Sequence, residues 1–133
     1  MKNLVYILYM MLSLSCSKHD DKSQNNVPQE LIGKWKIVEI YSTDGGSPTS
    51  WSPYDSGEVY DIWFKENSEF IVSNMIEGCQ IGSFSMSSND EIIIDLPCSE
   101  QSIIPIDSLS ESILITNTTY IEYELSKYQK VSE

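Results

Sequence analysis

The sequence predicts an all-β protein: a small antiparallel up-and-down barrel of eight strands. Short runs rich in Ile, Val, Tyr, Phe and Trp recur along the chain, with turn-forming residues between them. No helical periodicity of useful length follows Gly33. Closing such a meander into a barrel removes the exposed strand edges. The predicted strands are 34–41, 58–64, 68–74, 80–86, 91–96, 101–106, 112–116 and 119–128.

Three connecting segments have a predicted form. Pro28 near the start and Gly33 at the end of one segment predict a short N-terminal helical turn before the first strand. The stretch 42–57 is predicted to be a long loop, because it contains Gly45-Gly46 and two prolines. Asp107-Ser108 is predicted to form the turn that closes the sixth strand.

Alternation of apolar and polar residues indicates a lined barrel interior. In the last predicted strand, Ile121, Tyr123 and Leu125 share one face. The first strand does not choose a face, because its apolar residues occupy both. Trp35 and Ile37 share one side, and Val38 and Ile40 share the other.

Composition limits the classes of partner. The chain has a formal net charge of −12 at pH 7 and contains no arginine. Nucleic-acid binding needs clustered lysine or arginine, so no nucleic-acid partner is expected. Such a surface also repels anionic lipid headgroups.

The first residues resemble a bacterial lipoprotein signal peptide. Lys2 supplies a positive start, 4–14 is an apolar run, and Ser15 is a small residue before Cys16. A membrane-spanning helix needs about 20 apolar residues, so this run is too short to be one. Ser13 departs from the usual pattern, which has leucine there. The alternative is an ordinary secretory signal with an incidental Cys16.

The resemblance implies that the thiol of Cys16 carries a lipid. Two or more acyl chains anchor a protein stably in a membrane. The predicted organisation is a signal peptide at 1–15, a lipidated flexible tether at 16–27 and a barrel domain at 28–133. The stretch 18–21, Lys-His-Asp-Asp, resembles signals that send lipoproteins of the Bacteroidota to the cell surface. We therefore expect lipid anchorage at the outer membrane, with exposure at the cell surface. The alternative is that 18–21 is only a solvated part of the tether.

The remaining cysteines, Cys79 and Cys98, form a single pair. An oxidising compartment favours a disulfide between them. A zinc site would need more Cys or His ligands than the chain offers, so no metal is expected. Two free buried thiols are the alternative.

Two registers of the hairpin between these cysteines stay open. A symmetric hairpin sets the cysteines opposite each other, but it also sets Met86 opposite a glutamate. A slip of one residue pairs Phe84 with Ile94 and Met86 with Ile92, which is better apolar matching. A bulge near Pro97 would satisfy both demands.

The start of the barrel domain resembles the lipocalin family. The residues 31–35, Leu-Ile-Gly-Lys-Trp, contain the motif Gly-x-Trp as Gly33 and Trp35, at the entry to the first strand. The hairpin at 62–70 and the strand at 82–86 resemble those of small lipocalin-like domains on Bacteroidota lipoproteins. The resemblance covers roughly 28–130. Larger lipocalins often place an Arg on the motif Trp, and Lys127 or Lys130 is the available substitute here.

The resemblance implies a barrel that holds one small apolar ligand, with the loop at 42–57 over its open end. Trp51 and Tyr54 on that loop are candidate ligand or partner contacts. The alternative is that both pack on the barrel rim. The strand aromatics are predicted to lie in the core: Trp63, Phe64, Phe70 and Phe84.

Catalysis is not expected. The only histidine, His19, lies in the tether, which excludes a Ser–His or Cys–His nucleophile pair on the domain. No pair is singled out among the strand carboxylates, and Gly45-Gly46 lacks the lysine and helix of a phosphate loop. We expect no catalytic residue and no cofactor. The strand carboxylates are Glu39, Glu58, Glu122 and Glu124.

The stretch 107–109, Asp-Ser-Leu, resembles sites that carry O-glycans in secreted Bacteroidota proteins. Ser108 is therefore a candidate O-glycosylation site.

Two functions in the binding class follow. The first is a lipid-anchored, non-enzymatic module for a small apolar or amphipathic ligand, with a void lined by residues such as Ile37, Phe84 and Tyr123. The second is a filled barrel whose surface docks another envelope protein or a glycan, with an exposed aromatic patch around Trp51 and Tyr54. An enzyme would need clustered carboxylates of raised pKa in a cleft.

Overall fold

The computed structural model describes residues 27–42, 50–117 and 124–132. These ranges contain one 3-10 turn, Gln29–Leu31, and nine strands. The strands are β1 (Gly33–Ser42), β2 (Trp51–Pro53), β3 (Ile62–Phe64), β4 (Glu69–Val72), β5 (Ile81–Met86), β6 (Glu91–Asp95), β7 (Ser102–Leu109), β8 (Ile113–Asn117) and β9 (Glu124–Val131).

The strands form one closed antiparallel barrel. Seven strands from β3 to β9 follow each other in chain order, and β1 closes the ring by pairing with both β3 and β9. The predicted all-β, eight-stranded up-and-down barrel with an N-terminal helical turn is therefore confirmed. The end that holds the 3-10 turn is called the closed end, and the opposite end, where β9 begins, is called the open end.

β2 is an extra strand that the sequence did not predict. It lies inside the segment predicted to be a loop, so that prediction is wrong for Trp51–Pro53. β2 pairs with Glu39–Tyr41 of β1, whereas β3 pairs with Gly33–Trp35. One edge of β1 therefore has two successive partners. A three-residue strand that ends in proline shows no alternation by which a sequence could reveal it.

The core fills the closed end. Trp35 and Leu31 are fully buried, and the ring of Phe64 lies 5.0 Å from that of Phe70 and 4.9 Å from that of Phe84. The aromatic prediction is confirmed for these three phenylalanines. It is wrong for Trp63, which is half-buried on the outer wall. The core cluster is Leu31, Trp35, Phe64, Phe70, Phe84, Ile92, Ile94, Leu96 and Leu114.

A bulge in β1 explains why the sequence of this strand has apolar residues on both of its predicted faces. The register with β9 shifts between Ile37 and Glu39. Ile37 pairs with Tyr128, while Ile40 pairs with Ser126, and the shift brings both isoleucines to the inner face. The bulge therefore lets apolar residues of opposite parity line the same interior.

The inner face of β9 carries even-numbered residues. Ser126 is buried opposite Thr116, while Leu125 lies on the outer face opposite Tyr41. The expectation that Leu125 helps to line the interior is wrong. Ile121 and Tyr123, predicted to share its face, lie outside the described residues.

β7 is longer than predicted. It runs through Asp107 and Ser108 to Leu109, so the turn predicted there is wrong. The register with β8 shifts between Ile106 and Ser108, and this bulge keeps the chain extended where two polar residues had indicated a turn.

The hairpin between the cysteines has the slipped register. Phe84 pairs with Ile94 and Met86 pairs with Ile92. The disulfide between Cys79 and Cys98 lies beyond the ends of both strands, with the two Cα atoms 5.4 Å apart. The predicted disulfide and the better apolar pairing coexist because the loops, not a bulge in the ladder, absorb the offset.

Candidate functional site

The inner face of the barrel becomes polar toward the open end. Thr116 and Ser126 face each other across β8 and β9, with 3% and 8% of their surfaces exposed. Both hydroxyls hydrogen bond to Tyr128, the next inward residue of β9. Together with Asp61, these three side chains are called the polar cluster.

Burial raises the pKa of the Tyr128 phenol above its ordinary value of 10.0. The nearby negative charge of Asp61 also raises this pKa, as does Tyr54, while the hydrogen bonds from Ser126 and Thr116 lower it. The phenol therefore stays neutral at physiological pH. It presents a hydroxyl that can both donate and accept a hydrogen bond.

Asp61 holds three strands together where β1 changes partners. Its carboxylate oxygen Oδ2 accepts a hydrogen bond from the backbone N–H of Ile37 at 2.7 Å. Its own N–H donates to the carbonyl oxygen of Trp35 at 2.8 Å, and its carbonyl oxygen accepts from the N–H of Ser73 at 2.9 Å. On the edge of β1 that faces β2 and β3, Ile37 has no strand partner, and the carboxylate accepts the hydrogen bond that such a partner would accept.

Tyr54 lies beside the polar cluster. Its N–H donates to the carbonyl oxygen of Val38 at 2.9 Å, and 46% of its surface is exposed. Its phenol is close enough to Tyr128 to influence that group electrostatically. Tyr54 is therefore about half exposed and close to the polar cluster, and its role as a ligand or partner contact stays a prediction.

Trp51 lies elsewhere. It is half-buried on the outer wall, with its ring 5.4 Å from that of Tyr41 and 4.5 Å from Nζ of Lys127. Lys127 also pairs with Glu39. These contacts correspond to the alternative in which Trp51 packs as structure on the barrel. The two candidate contact residues are therefore on different surfaces.

The motif residues Gly33 and Trp35 build the closed end. Nε1 of Trp35 donates to the carbonyl oxygen of Leu31 at 2.8 Å. Lys130 crosses over the motif: its Nζ lies 5.0 Å from the centre of the Trp35 ring and donates to the carbonyl oxygen of Glu30 at 2.7 Å. A Cβ at Gly33 would lie 2.7 Å from Cε of Lys130, so glycine makes room for this lysine. Lys130, not Lys127, occupies the place over the motif tryptophan.

The sequence did not single out the polar cluster. Thr116 and Ser126 were detectable in principle once the register is known, because Thr116 lies two residues after the buried Leu114 and Ser126 lies two residues before Tyr128. Asp61 was not, since its contact depends on a gap at the edge of β1 that only the assembled barrel creates.

Other predicted site residues have the following positions. Cys16 and His19 lie outside the described residues. Ser108 and Asp107 are exposed at the bulge in β7, so Ser108 remains a candidate for glycosylation. Glu39 forms the ion pair with Lys127. The N–H of Glu58 donates to Oγ of Ser56 at 3.3 Å.

The described residues contain neither a cluster of metal ligands nor a membrane-spanning helix. No group of three or more His, Cys, Asp or Glu side chains there is placed to hold a metal ion. Within the same ranges, no helix has the length and apolar character needed to cross a membrane.

Comparison of the whole chain with protein-family models, with curated proteins and with solved structures finds no match.

Proposed function

We propose that the protein is a non-enzymatic binding module of the cell envelope, anchored by a lipid on Cys16, which holds a small amphipathic molecule at the open end of its barrel. The anchor rests on the resemblance of 1–16 to a lipoprotein signal. The ligand rests on the lining of the barrel.

The observation that carries the ligand is the polar cluster on an otherwise apolar inner wall. Binding sites are commonly apolar cavities with a few polar groups that orient the ligand. Tyr128 and Asp61 supply such groups, and Tyr54 offers a half-exposed ring beside them. The rest of the inner wall is apolar, and its partly buried members, which pack against the core cluster, include Ile62, Val72, Ile104 and Ile106.

This lining favours a molecule with an apolar body and one polar group. The apolar body packs on the isoleucines, while the polar group reaches the neutral phenol of Tyr128. A ligand bearing a full negative charge is disfavoured there, because the Asp61 carboxylate already occupies the cluster.

Native mass spectrometry tests the ligand. The full chain in detergent is exposed to a lipid extract of its own host, and a discrete small-molecule adduct is expected. Val72→Phe adds volume on the inner face of β4 and should abolish the adduct. Ile71→Phe adds the same ring on the outer face of the same strand and should keep it. An adduct that still forms with the Val72→Phe variant would show that the ligand binds somewhere other than the open end.

Cys16→Ser tests the anchor. Cells are fed palmitate that carries a terminal alkyne, and the purified protein is checked for the label. The unchanged chain should carry the label and partition with membranes, and the variant should do neither. A variant that keeps the label would place the lipid on another residue.

A second function, docking of another envelope component on the outer surface, is favoured by a different observation. Val59 and Ile76 are large apolar side chains with 78% and 81% of their surfaces exposed. Exposed apolar groups of this kind mark interaction surfaces when they cluster. A clean apo mass in the experiment above, together with capture of one defined partner, would favour this function over carriage of a small molecule.

A further inference from the structure

A groove of about 540 Å³ runs along the outer wall at the closed end of the barrel. It is called the tryptophan groove. Its volume is within the range of small-molecule sites, and its lining combines apolar and charged side chains. The lining residues are Ile32, Gly33, Lys34, Trp63, Lys65, Glu66, Asn67, Lys130 and Val131.

The groove is positively charged in a strongly acidic protein. The whole chain has a formal net charge of −12, yet three lysines and a single glutamate line this groove. Lys65 pairs with Glu69, and Nζ of Lys130 is held by the carbonyl oxygen of Glu30. Among the described residues, Lys34 has no carboxylate partner. A local positive site of this kind recruits an anionic ligand.

The ring of Trp63 is in contact with the ammonium groups of two of these lysines. Trp63 pairs with Lys34 across β1 and β3, and Nζ of Lys34 lies 4.6 Å from the centre of its ring. Nζ of Lys65 lies 4.5 Å from the same ring centre. Cation–π attraction of this kind holds both ammonium groups beside one aromatic surface. An anionic group that reaches this ring therefore meets the ammonium group of Lys34, with that of Lys65, which also pairs with Glu69, beside it.

The turn between β3 and β4 adds neutral and acidic hydrogen-bonding groups. Oδ1 of Asn67 accepts from the N–H of Glu69 at 3.2 Å, which leaves the amide nitrogen to donate into the groove. Glu66 is exposed and can accept from hydroxyls. A bare phosphate has no apolar surface to pack on Trp63 and no hydroxyl hydrogens to donate to Glu66 at neutral pH as its dianion. A sugar acid has a C–H surface that can pack against the exposed part of Trp63 and hydroxyls that can hydrogen bond with Glu66 and Asn67.

We propose that the tryptophan groove binds an acidic saccharide. A carboxylate of the ligand lies between the ammonium groups of Lys34 and Lys65. The C–H surface of the sugar packs on Trp63, and its hydroxyls hydrogen bond with Glu66 and Asn67. The site is on the outer wall, so it gives the docking function a place and a ligand class without depending on the open end.

Isothermal titration calorimetry of the full chain in detergent tests this proposal with two uronate probes, tetragalacturonate and a hyaluronan tetrasaccharide. At least one should bind, and added salt should weaken the binding. Full methyl esterification of tetragalacturonate removes its charges and keeps its shape, so the ester should bind about tenfold more weakly or not at all. Failure of both acids to bind, or equal binding of the ester, overturns the proposal.

The variants locate the site. Lys34→Gln combined with Lys65→Gln should weaken binding by about tenfold or more, because the carboxylate of the ligand loses its charge-assisted hydrogen bonds. Lys36→Gln is the matched control: this lysine is on the same strand as Lys34, lies outside the groove and pairs with Asp55 at 3.0 Å. It should bind as the unchanged chain does, and an equal loss in Lys36→Gln overturns the proposal.

Phosphatidylglycerol vesicles distinguish the other source of negative charge. Binding of these vesicles that depends on Lys34 and Lys65, without binding of either uronate, would make the groove a membrane contact and overturn the saccharide. A saccharide that still binds when the inner wall carries Val72→Phe supports the groove, whatever the outcome for the open end.

Discussion

The carboxylate of Asp61 accepts a hydrogen bond from the backbone N–H of Ile37 at 2.7 Å, at the point where β1 passes from one partner strand to the next. Neither β2 nor β3 pairs with Ile37, so a side chain completes the ladder there. This contact gives Asp61 a structural task that is separate from its influence on Tyr128.

Asp61→Ala should lower the free energy of unfolding by about 1–3 kcal/mol, because the partly buried N–H of Ile37 loses its acceptor. Urea denaturation followed by tryptophan fluorescence measures the change. Asp95→Ala removes an exposed carboxylate on the outer face of β6 and should change stability by less than about 0.5 kcal/mol. Equal effects of the two substitutions would contradict this role for Asp61.

Gly82→Ala should prevent folding or cost about 3 kcal/mol or more. A Cβ at Gly82 would lie 2.1 Å from the carbonyl oxygen of Asp95, a ladder atom that cannot rotate away. Ser83→Ala, at the next and exposed position, is the control and should be nearly neutral. Soluble yield and the midpoint of thermal unfolding report the difference. A Gly82→Ala protein as stable as the control would mean that β5 and β6 can separate at low cost.

Removal of the disulfide should cost about 3 kcal/mol. The bond closes a loop with a sequence separation of 19 residues, beyond the ends of β5 and β6. The Cys79→Ser, Cys98→Ser double variant should unfold at a lower concentration of urea than the unchanged chain. A reductant should bring the unchanged chain to the same midpoint and leave the double variant where it is. A reductant that shifts both proteins equally would point to an effect outside this bond.

Stability should fall at alkaline pH through Tyr128. Burial raises the pKa of this phenol above 10.0, so folding favours the protonated form. The stabilisation is complete below the unfolded-state pKa and is lost as the pH rises through the folded-state pKa. Tyr128→Phe should therefore reduce the loss of stability as the pH rises above about 10, measured by urea denaturation at each pH.

Tyr60→Phe is the control for that substitution, because the ring of Tyr60 packs edge-on against Trp63 on the outer wall. It should leave the alkaline profile unchanged. Identical profiles for the unchanged chain and Tyr128→Phe would show that the ionisation of Tyr128 is not linked to unfolding.

The barrel could be predicted from the sequence because most strands are recognisable by their composition and by the turn-forming residues between them. The disulfide was predicted, but the sequence left two registers open for its hairpin, and only the structure shows that Phe84 pairs with Ile94 while the loops accommodate the disulfide. β2 escaped detection, since three residues cannot display a period. β2 forms on the part of the β1 edge that β3 leaves unpaired, and this free edge exists only in the assembled sheet.

Which side chains face the interior was harder to predict than where the strands lie. Trp63 was expected inside because it is large and apolar, but Phe64 faces the interior, and alternation along the strand puts Trp63 on the outer wall. Leu125 was expected inside because it alternates with glutamates, but the closure of β9 on β1 turns Ser126 inward instead. Hydrophobicity alone cannot show a bulge, and one bulge reverses every later face of a strand.

The 3-10 turn at Gln29–Leu31 packs into the closed end, so the chain enters the barrel at its base. With a lipid on Cys16, the segment before the turn spans at most about 3.6 Å per residue, which is a leash of roughly 40 Å. A tether of this length limits how far the base of the barrel can lie from the bilayer. The tryptophan groove, near the base, would then stay within reach of molecules at the membrane surface.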